Sequence, residues 1–154
     1  RGAVAKFHRH REHDVASFPY RAIHRRENAT HSLKWLDGEV TQYLYRLPDG
    51  ASTSDALNHY RRVATQSNMR VTFDCQGQEQ CGRDFGAFLS LSDAVIPHEF
   101  ESPAAFDGAA ALLAQGGDRS TEHFLLILLL PQPYGGPSLY QQLVRTPRST
   151  DGAQ

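Results

Sequence analysis

Three neighbouring stretches of the chain have apolar positions spaced so that they predict a strand, a helix and a second strand. Residues 40–47 are rich in Val, Tyr, Leu and Thr and have one apolar and one mixed side, which is typical of a half-buried strand. Apolar residues recur at three- and four-residue spacing over 56–64, as on one face of a helix. Residues 69–75 alternate again and predict the second strand. Helix and strands with single apolar faces favour a sheet covered by helices on one side.

The segments on either side of this unit predict a hairpin and a second helix. Asp37-Gly38 lies between apolar runs and predicts a tight turn, which would make residues 31–36 a partner strand. Pro103 suits the first turn of a helix, and the alanine-rich run that follows predicts a helix over 103–114. Gly116-Gly117 would end that helix.

Two C-terminal segments complete the predicted sheet. Residues 122–130 are apolar on both sides, which favours a central strand, and residues 139–144 alternate as a last strand. The expected fold class is therefore α+β, with an antiparallel-dominated sheet of about five strands and two main helices packed on one face.

The N-terminal segment differs from the rest of the chain in charge. Residues 1–26 hold seven Lys and Arg against two Asp and Glu, a net charge of +5, whereas the remainder holds nine against fifteen, a net charge of −6. We predict a basic N-terminal arm or edge segment over 1–30, a single α+β domain over 31–146 and a loose tail over 147–154. Within the arm, residues 18–23 are apolar enough for an edge strand.

Composition does not favour a nucleic-acid-binding or a membrane-spanning protein. The formal net charge of −1 does not suggest a nucleic-acid partner, and no apolar run approaches the roughly 20 residues of a membrane span. The sequence begins with Arg1 rather than Met, which we interpret as a chain from which an export signal was removed.

Cys75 and Cys81 lie six positions apart at the end of the second predicted strand. In an exported protein this spacing predicts a disulfide that closes a short loop, whereas in a cytosolic protein it would leave two thiols. A zinc site would need two further ligands, and His98 and His123 are the available histidines.

Candidate binding residues come from two groups, and no catalytic motif is present in the sequence. Trp35, Tyr43, Tyr45 and Tyr140 would form an aromatic binding face for a protein or a glycan if one side of the sheet is open; otherwise they are cross-strand pairs that close the core. The alternating His8, His10 and His13 are candidate metal ligands on an extended segment, with a solvated arm as the alternative.

Several short runs share their order and spacing with a known family. They are Gly38–Thr41, Tyr45–Gly50, Ala56–Tyr60, Val71–Cys75 and Cys81-Gly82. Together they resemble a proteobacterial family of uncharacterised envelope proteins, with a likeness that covers residues 12–144. The resemblance implies an exported domain, often followed by an OmpA-like peptidoglycan-binding domain, and it brings no catalytic residues. No OmpA-like segment follows Gln154, so we do not expect this chain to anchor itself to peptidoglycan directly.

The hypothesis that these observations favour is a non-enzymatic periplasmic or outer-membrane-associated binding module. It would act through its sheet face or its basic arm on an envelope protein or a peptidoglycan-associated partner, without a cofactor. One alternative is an envelope hydrolase with a His and carboxylate site that the sequence does not locate. Another is metal binding by the N-terminal histidines.

Overall fold

A six-stranded antiparallel sheet forms the centre of the computed structural model, which describes residues 3–100 and 108–148. The strand order across the sheet is β1-β2-β6-β5-β4-β3. The α+β class is confirmed, with six strands instead of about five. The strands are β1 (Val4–Pro19), β2 (Leu33–Arg46), β3 (Arg70–Gln76), β4 (Ala110–Gly117), β5 (Thr121–Leu130) and β6 (Ser138–Pro147), and the helices are α1 (Thr53–Gln66), α2 (Gly77–Cys81) and α3 (Phe85–Leu91).

Helices cover both faces of this sheet, which corrects the prediction of helices on one face only. The central strand β5 is buried throughout 124–130, and its side chains alternate between two cores. Its odd-numbered residues pack beneath α1 with Leu57 and Ala64, on what we call the α1 face. Its even-numbered residues pack with Phe85 of α3 and with Phe100, on the α3 face. A strand with two dry faces is apolar at every position, as predicted for a central strand.

The predicted second helix is wrong over residues 110–114, which belong to β4; residues 103–107 lie outside the described residues. Ala110, Leu112 and Ala114 lie on the α1 face, and Ala111 and Leu113 lie on the α3 face. A run that is buried on both sides lacks the period of a strand. Its alanine content then predicts a helix. In the structure the small alanine side chains let α1 approach the sheet closely.

The predicted hairpin at Asp37-Gly38 is also wrong, because β2 continues straight through it. Gly38 pairs with Asp14 on β1, and a Cβ at position 38 would overlap the Arg145 carbonyl oxygen of β6. This glycine therefore permits a close approach of two strand backbones and does not form a turn.

The N-terminal and C-terminal segments contribute more residues to strands of the sheet than the charge pattern predicted. Residues 4–19 form β1, an edge strand that pairs with β2, instead of a solvated arm. At the other end, Pro147 belongs to β6 and pairs with Thr121, so the strand extends into the segment predicted as a loose tail. Residues 149–154 of that tail lie outside the described residues.

A layer of polar side chains crosses the core of the α3 face. The Tyr140 hydroxyl is fully buried and donates to Gln142 Oε1 at 2.6 Å. Gln142 Nε2 donates to the Ser17 carbonyl at 2.9 Å, and Gln42 Nε2 donates to Gln142 Oε1 at 2.9 Å. Burial raises the pKa of Tyr140 well above its usual value, because the interior disfavours the phenolate. The contribution of Tyr140 to the free energy of unfolding therefore decreases at alkaline pH.

Tyr140→Phe is expected to flatten the loss of stability at high pH. The folded-state pKa lies above the unfolded value of about 10, so the contribution is complete below that pH and is lost as the pH rises above it. At neutral pH the substitution should cost about 1 kcal/mol for the lost hydrogen bond. Urea unfolding from pH 7 to pH 11 measures both effects. Tyr134→Phe is the control, since Tyr134 is 85% exposed; an equal alkaline slope for both variants would contradict the assignment.

Candidate functional site

The α1 face is open at the end of the sheet that α1 does not cover. Helix α1 packs mainly on β3, β4 and β5. Over β1, β2 and β6, the side chains of Thr41, Tyr43, Gln141 and Leu143 on this face are only half-buried. The sheet therefore presents a shallow, mixed apolar and polar surface here.

Three rings form a continuous row on this surface, and we call His8, Tyr43 and Tyr45 the aromatic row. The His8 and Tyr43 ring centroids are 4.5 Å apart with planes at 18°, because the two residues are direct partners in the β1–β2 pairing. Tyr43 and Tyr45 point to the same side of β2, and their stacked rings lie 5.5 Å apart. The strand geometry alone thus brings the three rings into register.

The aromatic row ends against α1. Ser52 caps this helix by accepting from the Asp55 amide, and the helical spacing turns Tyr60 toward the sheet. Burial, and then the nearby Tyr45, raise the pKa of Tyr60. Burial, and then Tyr43, raise the pKa of Tyr45. Both phenols therefore stay neutral at physiological pH and offer hydrogen-bonding hydroxyl groups.

Charged groups beside the aromatic row neutralise one another. His10 Nε2 and a carboxylate oxygen of Glu39 are 2.8 Å apart, and Arg145 approaches the other oxygen to 3.5 Å. The His10 hydrogen bond lowers the pKa of Glu39 most, and Arg145 lowers it further. Glu39 and Arg145 are partners in the β2–β6 pairing, so the sheet register again explains their contact. The open surface therefore carries little net charge.

Only two of the four predicted binding-face aromatics lie together. Tyr43 and Tyr45 share the aromatic row, but Tyr140 pairs with Leu44 and is fully buried on the α3 face, so its assignment to the binding face is wrong. Trp35 is 54% exposed, yet eight residues of strand place it about 26 Å from Tyr43 along β2. The sequence did not reveal His8 as a member, since its place depends on pairing with a distant strand.

The three N-terminal histidines have separate surroundings. His8 stacks on Tyr43, His10 pairs with Glu39, and His13 lies where the β1–β2 register shifts between Arg11 and Asp14. Over 3–100 and 108–148, no three His, Cys, Asp or Glu side chains are grouped so that they would hold a metal ion. Metal binding by these histidines therefore stays a prediction without a ligand set in this part of the chain.

Cys75 and Cys81 form a disulfide, with their sulfur atoms 2.04 Å apart, as predicted for an exported protein. Both residues are buried where β3 leads into α2. The thiol and zinc alternatives do not hold in this state, because both sulfur atoms are bonded to each other. His98 lies on the surface, where its Nδ1 is 3.5 Å from a carboxylate oxygen of Asp93.

An apolar groove on the α3 face is the candidate site for the hydrolase alternative. It has a volume of about 450 Å³, and Lys34 lies over the Phe124 ring at its edge. The hydrolase alternative called for a histidine and a carboxylate, and the described residues that line the groove include neither. The lining residues are Phe18, Tyr20, Leu33, Lys34, Thr72, Leu113, Gln115 and Phe124.

Two further findings bear on the class of protein. Among the described residues, no helix is long and apolar enough to cross a membrane. Comparison of the chain with models of known protein families and with curated proteins found no match.

Proposed function

We propose that the protein is a non-enzymatic binding module of the bacterial cell envelope, and that its ligand is a glycan strand bound across the aromatic row. The observation that carries this proposal is the row itself, since three stacked rings remain accessible on the part of the α1 face that α1 leaves open. Exposed aromatic surface on an otherwise well-packed sheet marks interaction sites.

The chemistry of the surface favours an uncharged, hydroxyl-rich ligand. Glu39 is already paired with His10 and Arg145, so a charged ligand would have to compete with these contacts. The tyrosine rings stack on each other, which leaves their edges and hydroxyl groups for the ligand. His8 ends the row, so one face of its imidazole ring points away from Tyr43 toward the open side. Sugar hydroxyls and the apolar face of a sugar ring complement these groups.

The envelope location rests on two supports. A disulfide in a small domain is typical of oxidising compartments such as the periplasm. The resemblance of residues 12–144 to exported envelope proteins agrees with that compartment. A glycan ligand in this compartment would be peptidoglycan or another cell-wall polysaccharide, which the sheet would bind through the aromatic row and not through an OmpA-like domain.

Tyr43→Ala is expected to weaken binding to purified peptidoglycan sacculi about tenfold, because it removes the middle ring of the row. Co-sedimentation with sacculi measures this binding, and titration with chitotetraose tests a soluble glycan. Tyr134→Ala is the matched control, since it removes the same side chain from an exposed site outside the row. Circular dichroism would verify that both variants fold.

Three outcomes decide the proposal. Sedimentation with sacculi that Tyr43→Ala weakens and Tyr134→Ala does not would support it. Sedimentation that survives Tyr43→Ala would place the binding site elsewhere. A wild-type protein that binds neither sacculi nor chitotetraose would overturn the glycan ligand and leave an envelope protein as the partner to seek.

A further inference from the structure

The loop between β1 and β2, which ends in the 3-10 helix Arg26–Ser32, places two arginines and two histidines around one concavity. This loop, residues 20–32, surrounds a cavity of about 600 Å³. Arg21, His24, Arg25 and His31 all line it. It is separate from the aromatic row, because the ten residues of β2 from Leu33 to Tyr43 span about 33 Å.

Hydrogen bonds hold the loop in a defined conformation. The Tyr20 amide donates to the Ser32 carbonyl at 2.9 Å, which closes the loop at its base. The Ser32 hydroxyl donates to the Ala22 carbonyl at 3.0 Å. The Ile23 side chain is buried in the core of the α3 face. These contacts make the cavity a feature of the folded structure and hold the basic side chains around it.

The loop is also tied to the disulfide-closed segment. The Ile23 amide donates to the Cys81 carbonyl at 2.8 Å, and the Asp84 amide donates to the Ile23 carbonyl at 3.1 Å. Gly82 lies so close to Ile23 that a Cβ at this position would overlap its backbone. The backbone that anchors the basic loop therefore directly follows the Cys75–Cys81 bridge.

The arginines of this loop form no ion pair with an acidic side chain within residues 3–100 and 108–148. None of the ion pairs found among the described residues involves Arg21, Arg25 or Arg26. Arg21 Nη2 donates to the His31 carbonyl at 2.6 Å, and its guanidinium lies 5.3 Å from the centroid of the Tyr20 ring. The Arg21 side chain is thus held in place, and no carboxylate in the part of the chain that the structure describes is paired with it.

Two carboxylates line a neighbouring concavity. Glu27 and Asp84 line a neighbouring concavity with Arg26, and Asp84 Oδ2 accepts from the Arg26 amide at 2.9 Å. Neither carboxylate lines the cavity of the basic loop. An anion in that cavity would therefore meet guanidinium and imidazole groups, and the described residues that line the cavity include no carboxylate.

We propose that the loop 20–32 is a binding site for an oxyanion, specifically a phosphate group, with Arg21 and Arg25 as its main ligands. Guanidinium groups bind phosphate through paired, charge-assisted hydrogen bonds, and a planar fork held by Tyr20 is preorganised for that contact. The phosphate group belongs either to a small soluble compound or to a lipid headgroup at the membrane surface. This site does not depend on the proposed glycan face.

Titration with inorganic phosphate at constant ionic strength tests the site, because constant salt separates specific binding from general screening. We expect amide NMR shifts to concentrate in residues 21–32. Arg25→Ala should weaken phosphate binding at least tenfold, since it removes a charge-assisted contact. Arg62→Ala is the control of equal charge on the exposed side of α1, and we expect it to change the affinity by no more than about twofold.

Vesicles distinguish the two sources of the phosphate group. Sedimentation with phosphatidylglycerol vesicles that Arg25→Ala abolishes would support a lipid headgroup; phosphate binding without vesicle binding would support a soluble ligand. Equal effects of Arg25→Ala and Arg62→Ala would overturn the proposal and indicate only general electrostatic attraction. Phosphate shifts that lie outside residues 21–32, or no binding to either probe, would overturn it as well.

Discussion

Gly82→Ala is expected to lower the free energy of unfolding by about 3 kcal/mol or more, because two independent effects act at this position. Gly82 has φ +103°, a conformation that residues with a side chain rarely adopt. A Cβ would also overlap the Ile23 backbone, and the rigid backbone on both sides leaves it no room to relax. Urea unfolding of the purified variant measures the loss.

Gly77→Ala is the matched control for this prediction. Gly77 lies in the same short segment with φ +80°, but nothing lies within 4 Å of its Cβ position. It therefore carries the conformational cost alone, which we expect to be about 1 kcal/mol. The difference between the two variants contains the contact between Gly82 and Ile23 together with the extra backbone cost at Gly82, whose φ of +103° and ψ of 152° are almost confined to glycine. Equal losses would mean that this contact is unimportant, and that the basic loop is held by other interactions.

The sequence predicted those elements whose side chains have one dry and one wet side. The strand over residues 40–46, helix α1 and strand β3 all have that pattern, and all three form where the pattern predicts them. Strand β5 is dry on both sides and was still predicted, from its long run of large apolar residues, whereas β4 was missed because its dry sides show no strand period and its alanines favour a helix. Its strand conformation comes from pairing with β3 and β5, which is a tertiary effect that local propensity does not contain.

The candidate sites show the same limit. Tyr43 and Tyr45 were predicted to lie together because residues two apart share one side of a strand. His8 lies on the α1 face, and Tyr140 is buried on the α3 face. Both locations depend on which residues of distant strands become partners. Strand β1 also has two register shifts, so even the correct pairing of β1 with β2 would not have placed His8 opposite Tyr43 by counting alone.

The basic segment was visible in the sequence as charge, but its location was not. Half of the predicted arm became strand β1, where Arg9 pairs with Asp14 and Glu99. The other half became the loop whose arginines have no such partner among the residues that the structure describes. What separates them is the anchoring of Ile23 by Cys81 and Asp84, residues about 60 positions further along the chain. Composition indicates a basic segment, and only the fold shows which of its arginines lie around one cavity.

Removal of the disulfide is therefore expected to affect both stability and the basic loop. Cys75→Ala with Cys81→Ala should lower the free energy of unfolding by about 2 kcal/mol, since the bridge closes a short loop and restricts the unfolded chain only modestly. Alanine is the suitable replacement, because both cysteines are buried and a serine would bury a hydroxyl group. Urea unfolding under non-reducing conditions measures this loss.

Hydrogen exchange in the same double variant tests how far the effect reaches. The Ile23 amide should exchange faster relative to global unfolding, because its acceptor is the carbonyl of Cys81. The Tyr20 amide is the internal control, since it donates to Ser32 within the basic loop itself. Faster exchange at Ile23 alone would mean that the bridge fixes the anchor of the loop, so that reduction would weaken phosphate binding. Unchanged exchange at both amides would assign the anchoring to the packing of Gly82, and the disulfide would then contribute to stability without controlling the site.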